Sequence, residues 1–197
     1  MMKRAVDFLA ATVGLLLLGP LFALVALAIR LDSPGPVFFR QRRVGRGFRP
    51  FEILKFRTMV ANAAGLGRPL TAGDDPRITR VGRLLRKTKI DELPQLVNVL
   101  RGEMSLVGPR PEVPDYVELF RGAYAEILRV RPGITDLASM VYRDEAAILG
   151  QSDNPEADYI HHILPHKIAL AQEYCRRQSL VYDMSLIFRT LGRLVWY

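Results

Sequence analysis

The sequence predicts a mostly α-helical protein with a small β element: an N-terminal membrane helix, read as re-entrant, then a basic domain that ends in amphipathic helices. Three observations predict this. Residues 8–29 carry no charge and are almost wholly apolar. Basic residues crowd both flanks of that run. Beyond residue 76 the apolar residues recur with helical spacing, whereas strand-like stretches are confined to residues 37–56. The division is residues 1–31 for the membrane helix and 32–197 for the domain.

The run from Phe8 to Ile29 is long enough to cross a bilayer as a helix. A signal peptide is the rival reading, with Lys3 and Arg4 as its basic start and Ala26-Leu27-Ala28 as its cleavage site. The run exceeds the roughly 7–15 apolar residues such a peptide uses. Lys3 and Arg4 precede it, and Arg30, Arg40, Arg42, Arg43, Arg46 and Arg49 follow. Basic flanks favour the cytoplasmic side, and a helix that enters and returns keeps both there. Gly19-Pro20, near the middle, is the expected break, because proline removes a backbone donor and clashes with the preceding turn. A kinked spanning helix is the simpler alternative, and the freed backbone groups of a break need local partners in lipid.

Asp32-Ser33-Pro34-Gly35-Pro36 is a turn that ends the helix. Val37-Phe38-Phe39 and residues 51–56 are short strands around a turn at Gly45-Arg46-Gly47. Residues 62–76 are loop. A helix follows from Pro76, with Ile78, Val81, Leu84 and Leu85 on one face and Arg80, Arg83, Arg86 and Lys87 on the other. Asp91 is expected to cap the next helix, residues 91–100, with Pro94 in its first turn. Another helix covers 114–130 and stops before Pro132-Gly133. Near the C-terminus, Leu180, Met184, Ile187, Phe188, Leu191, Leu194 and Val195 form an apolar stripe, which suits either a core or a headgroup layer. Trp196 and Tyr197 are expected as interfacial aromatics.

A formal net charge of +8 calls for an anionic partner: nucleic acid, acidic headgroups or a phosphorylated substrate. The apolar share of 49% excludes a disordered basic protein. Cys175 is the single cysteine, so no intrachain disulfide forms. The common nucleotide, hydrolase and zinc signatures are absent. His161, His162 and His166 cluster, but without a third ligand of suitable spacing they make a poor zinc site.

The chemistry concentrates in residues 86–112. Asp91-Glu92 follows a basic helix, and two carboxylates can hold a divalent metal whose shell is completed by phosphate oxygens. Pro109-Arg110-Pro111 sets an arginine on rigid backbone, and its fork matches phosphate bidentately. Singly, each of these reads as an ordinary surface residue or helix cap. Together with an anchor and a basic surface they suit phosphoryl transfer, and spacing alone does not name the reaction.

The chain resembles the small monotopic phosphoglycosyl transferases, bacterial sugar transferases that initiate glycan assembly on polyprenyl phosphate. The likeness covers nearly the whole chain. It is carried by Gly35-Pro36-Val37-Phe38-Phe39-Arg40-Gln41, Lys55-Phe56-Arg57-Thr58-Met59, Arg86-Lys87-Thr88 through Asp91-Glu92-Leu93-Pro94-Gln95, residues 105–112, and Arg131-Pro132-Gly133-Ile134-Thr135. The resemblance implies a catalytic domain on the cytoplasmic face of the bacterial inner membrane, anchored by a re-entrant helix. It implies that Asp91 attacks the β-phosphate of a UDP-sugar, releases UMP, and passes the phosphosugar to polyprenyl phosphate. It further implies Mg2+ with Asp91 as ligand, assistance from Glu92, and substrate contacts from Lys55, Arg86, Arg110, Arg143 and Asp183.

Two features depart from the family pattern. Gly19-Pro20 stands where Ser-Pro is common, and glycine lacks a hydroxyl to satisfy freed backbone. Asp136 to Arg143 replaces the usual continuation after Pro-Gly-Ile-Thr, which weakens the Arg143 assignment and points to an atypical sugar. A membrane-tethered nucleic-acid-binding protein is the alternative reading of the basic stretches, but Asp91-Glu92 would repel a phosphate backbone, so the expected partners are the donor, the acceptor and membrane lipid, and no nucleic acid. A catalytically dead scaffold is the third. The sugar and the glycan pathway stay open, as does a homodimer.

Overall fold

The computed structural model describes residues 2–66 and 70–195. Helix α1, Met2–Asp32, is one continuous helix of 31 residues, roughly 45 Å long at 1.5 Å per residue. It is the helix among the described residues that is long and apolar enough to cross a membrane. The expected break at Gly19-Pro20 does not interrupt it; Pro20 lies inside the helix, and both residues are exposed. Proline there costs one backbone hydrogen bond without ending the helix.

Both ends of α1 are fastened to the rest of the chain. At the start, Lys3 Nζ donates to the Val107 carbonyl at 3.0 Å and meets Asp183 Oδ2 at 2.5 Å. Arg4 reaches the carbonyls of Val99 and Leu100. Asp7, buried just ahead of the apolar run, accepts from the Ser105 hydroxyl and the Leu106 amide. At the other end Asp32 Oδ2 accepts from the Val81 amide, and Arg57 holds the carbonyls of Ser33 and Pro34. Between the ends, Ala11 packs with Ile53, Leu96, Val99 and Met104, and Val25 and Ile29 pack with Phe56 and Leu85. Burial of a side chain such as Phe56 contributes about 1.5–3 kcal/mol, so this seam is a core. The opposite side is bare: Leu16 and Leu17 are 76% and 75% exposed.

Strands β1, Phe38–Val44, and β2, Pro50–Phe56, form an antiparallel hairpin pairing Phe39 with Lys55 and Gln41 with Ile53. The strands are those expected, with β1 extended to Val44. Helix α2, Arg80–Thr88, starts four residues later than Pro76, because Thr79 caps it by accepting from the Gly82 amide. It ends at Lys89, whose φ of 59° is left-handed, a conformation a residue with a Cβ adopts only when its surroundings impose it. A 3-10 turn, Ile90–Glu92, and helix α3, Gln95–Arg101, follow. Asp91 is therefore not a helix cap: it sits inside the turn, and Pro94 occupies the cap position of α3.

Strand β3, Ser105–Val107, pairs in parallel with β4, Gly133–Thr135. The chains touch at Gly108 and Gly133, where a Cβ on Gly133 would lie 2.0 Å from the Gly108 nitrogen. The helix expected over 114–130 is two, α4 at Pro114–Leu119 and α5 at Arg121–Ile127, broken at Phe120. Helices α6 (Leu137–Val141), α7 (Glu145–Leu149) and α8 (Pro155–Asp158) lead into a π-helical turn, Tyr159–Ile163. Helices α9, Leu164–Arg177, and α10, Leu180–Val195, close the described chain. On α10 the buried side holds Asp183 and Leu186, while Met184, Phe188 and Leu191 of the expected stripe are exposed. Much of the stripe is therefore an outer face rather than core. Trp196 and Tyr197 lie outside the described residues.

Candidate active site

A cleft of about 1050 Å³ opens between the β1–β2 hairpin, the Ile90–Glu92 turn, the Pro109-Arg110-Pro111 segment and helices α6, α7 and α10. The fold brings six of the seven expected catalytic and substrate-binding residues to it: Lys55, Arg86, Asp91, Glu92, Arg110 and Arg143.

Lys89 turns the chain so that both acids of the following turn enter the cleft. Glu92 is fully engaged. Lys55 Nζ lies 2.7 Å from Oε1, and Arg110 bonds Oε1 through Nη2 and Oε2 through Nη1 at 3.2 Å. Burial alone would raise the Glu92 pKa; the Arg110 and Lys55 charges outweigh it and hold the carboxyl well below the usual range. Asp91 is different. It is 7% exposed, and its buried Oδ1 has no hydrogen-bond partner. Burial raises its pKa against the pull of Lys55, Arg86 and Lys89, and the Glu92 charge adds to the rise. Two adjacent carboxylates are thus pushed apart, one tied up in ion pairs and one with an unpartnered oxygen.

The cations are set by neighbouring elements. Burial pushes Lys55 down despite its partner Glu92. Arg110 is raised, chiefly by the Glu92 charge, and its Nη1 also reaches Ser139 Oγ at 3.3 Å. Arg86 is oriented by Nε donating to Thr58 Oγ1 at 2.9 Å. That contact depends on Gly82, where α2 presses on the Thr58 backbone. Arg143 bonds the Arg193 carbonyl, and its own carbonyl accepts from Lys89 at 3.3 Å.

Asp183 is not brought to the cleft. Its oxygens accept from Lys3 and from the Tyr174 hydroxyl at 2.7 Å, so it ties α10 to the start of α1. The three histidines also lie outside the cleft lining; His166 Nδ1 meets the Tyr142 hydroxyl at 2.7 Å.

A family model described as bacterial sugar transferase matches residues 1–196. The chain belongs to the bacterial sugar transferase family. It is 42% identical over 196 residues to the UDP-glucose:undecaprenyl-phosphate glucose-1-phosphate transferase of Caulobacter vibrioides, covering 98% of this chain and 69% of that protein. It is 40% identical over 198 residues to the UDP-N-acetylgalactosamine-undecaprenyl-phosphate N-acetylgalactosaminephosphotransferase of Aeromonas hydrophila, covering 98% of this chain and 43% of the relative. Against the UDP-glucose:undecaprenyl-phosphate glucose-1-phosphate transferase of Escherichia coli the figures are 38% over 194 residues, 97% and 39%. The chain thus spans less than half of the latter two relatives.

The cleft of this sugar transferase holds residues the sequence reading did not assign. Asp136 caps α6, accepting from Ser139 N at 2.8 Å and Ser139 Oγ at 2.5 Å, and so steadies the hydroxyl that Arg110 reaches. Glu112 joins Arg43 at 2.8 Å and accepts from the Tyr159 hydroxyl at 2.7 Å. Glu112 stood in a motif already singled out; Tyr159 lies 47 residues further on, with no local signal.

Among the described residues no group of three metal-ligating side chains exists, so a divalent ion held by protein alone does not fit this sugar transferase. An ion held by one carboxylate and completed by substrate phosphate oxygens would need one unpartnered carboxylate oxygen, and Asp91 Oδ1 has no hydrogen-bond partner.

Proposed function

We propose that the chain transfers a sugar-1-phosphate from a UDP-sugar to undecaprenyl phosphate, releasing UMP, at the first membrane step of polysaccharide assembly. The names of the relatives support the substrates. The carrying observation is the contrast within the acid pair: Glu92 is spent on Lys55 and Arg110, and Asp91 keeps a buried oxygen with no hydrogen-bond partner.

In this reading an oxygen of the Asp91 carboxylate attacks the β-phosphorus. The bond from that phosphorus to the bridging oxygen breaks, and its electron pair leaves with UMP. An oxygen of the acceptor phosphate then attacks the same phosphorus, the bond to Asp91 breaks, and the carboxylate is restored. Burial makes Asp91 the more basic of the two acids and therefore the better nucleophile, while Lys55, Arg86 and Lys89 favour its ionised form. Glu92 holds Lys55 and Arg110 beside it, and the cations offset charge on the transferring phosphoryl group. In this reading magnesium is the cofactor: Asp91 would hold it, and when bound it draws negative charge off the diphosphate.

The membrane arrangement is also our reading. Both ends of the unbroken α1 grip one domain, which supports both ends lying on the cytoplasmic side of the inner membrane. The bare side of α1 and the exposed Val181, Phe188 and Leu191 of α10 supply apolar surface for lipid.

The test is UMP release by detergent-solubilised protein with undecaprenyl phosphate, magnesium and a panel of UDP-sugars. Release that disappears in Asp91→Asn and without magnesium supports the reaction. Undiminished release by Asp91→Asn removes that residue as nucleophile.

A further inference from the structure

A UDP-sugar has a charged middle and two neutral ends. We infer that the side of the cleft formed by Gln41, Arg43, Glu112, Tyr159 and Lys167 seats the sugar end; this rests on the donor being a UDP-sugar.

The two sides of the cleft engage their cations differently. On one side Arg86 bonds the Thr58 hydroxyl, and Lys89 and Arg193 bond backbone carbonyls. Those acceptors are neutral, so the positive charge stays available to phosphate. On the other side Arg43 is tied to Glu112 and Lys167 to Glu145, both within the cleft lining. There the charge is cancelled. What remains is a fixed set of donors and acceptors, which suits hydroxyl groups that both donate and accept. A phosphate would meet the carboxylates of Glu112 and Glu145.

The individual groups suit a sugar. Gln41 Oε1 accepts from Arg43 Nη2 at 2.8 Å, so its NH2 group is the donor it can offer. The π-helical turn positions Tyr159, whose hydroxyl donates to Glu112 while Lys167 reaches it at 3.3 Å. The Tyr116 ring lies 5.0 Å from that of Tyr159 and gives the cleft an aromatic wall.

Position decides between sugar and uridine. Phe39 pairs with Lys55, so Gln41 stands two residues along the same strand, roughly 7 Å from that pair. Lys55 in turn contacts Glu92, next to Asp91. The sugar is bonded directly to the phosphate under attack and must lie that close. The uridine is set back by a second phosphate, toward the side where the cations keep their charge.

Affinities of the full-length solubilised protein for UDP, UDP-glucose and UDP-N-acetylgalactosamine, by calorimetry beside UMP release, test this. Gln41→Ala is a half-exposed strand position and should fold normally; Tyr159→Phe removes a hydroxyl and with it one donor to buried Glu112, and its melting midpoint checks folding. Each variant is expected to weaken binding of the accepted UDP-sugar roughly three- to tenfold, the worth of one hydrogen bond, and to leave UDP binding within about twofold. An equal loss for UDP in the folded Gln41→Ala protein would mean that this side holds the uridine. Unchanged affinities for all three ligands would remove it from recognition. Wild-type protein that releases UMP from no donor would instead fail the proposed reaction itself.

Discussion

Arg110 holds Glu92 through both ends of its guanidinium: Nη1 lies 3.2 Å from Oε2, and Nη2 bonds Oε1. The arginine expected to meet phosphate thus has a carboxylate as its first partner. Lys55 approaches the same carboxylate. The pair of cations is fixed before any substrate arrives, so no reorganisation is needed as charge develops.

Arg110→Lys should cut turnover roughly hundredfold, because an ammonium cannot hold Glu92 and Ser139 together and still present a donor to phosphate. Steady-state UMP release checks this. Wild-type turnover in the variant would remove Arg110 from the chemistry.

Gly82→Ala should disturb the site from a distance. A Cβ there would lie 2.1 Å from the Thr58 carbonyl oxygen and 2.7 Å from its carbon, so α2 must move away from Thr58. We expect a loss of roughly 1–3 kcal/mol in stability and reduced activity as Arg86 loses its bond to Thr58. Denaturant unfolding and UMP release measure the two effects. Unchanged stability would count against a close α2 contact.

Glu112 should make stability fall in acid. Burial alone would raise it, but Arg43, Lys167, the Tyr159 hydroxyl and the Val113 amide hold it below its ordinary value of 4.5. A carboxyl with a depressed folded value contributes fully above its unfolded value and loses that contribution as pH falls through the folded one. The melting midpoint of Glu112→Gln should therefore trail wild type at neutral pH, with the gap closing below about pH 4. A gap independent of pH would mean that the charge of Glu112 contributes nothing.

Topology can be read at residue 2. In a Cys175→Ser background, Met2→Cys should react with impermeant maleimide from the cytoplasmic side only. Pro20→Leu should leave that pattern unchanged, since α1 passes through Pro20 unbroken and is fastened by Lys3, Arg4 and Asp7. Labelling from the periplasmic side in wild type would overturn the re-entrant reading.

Local signals located much of this protein in its sequence. The charge-free run and the two strands are short-range patterns, and the chain realises them at or near the expected residues. Long-range pairings were not legible. Asp183, near the C-terminus in the sequence, serves α1 rather than the cleft, because its partner Lys3 lies 180 positions away. The split at Phe120 and the capping of α3 by Pro94 instead of Asp91 are tertiary choices that overrule local preference. The Glu112–Tyr159 bond depends on a π-helical turn, which no simple periodicity announces.

The bond between Lys3 and Asp183 also sets an order of events during synthesis. Residue 3 leaves the ribosome 180 residues ahead of its partner, a delay of roughly ten to forty seconds at ordinary translation rates. The apolar helix is therefore exposed, and free to enter a bilayer, long before the surface that will clamp its start exists. On the proposed membrane arrangement, insertion precedes the clamping of the start of α1, and the finishing step of folding takes place at the membrane.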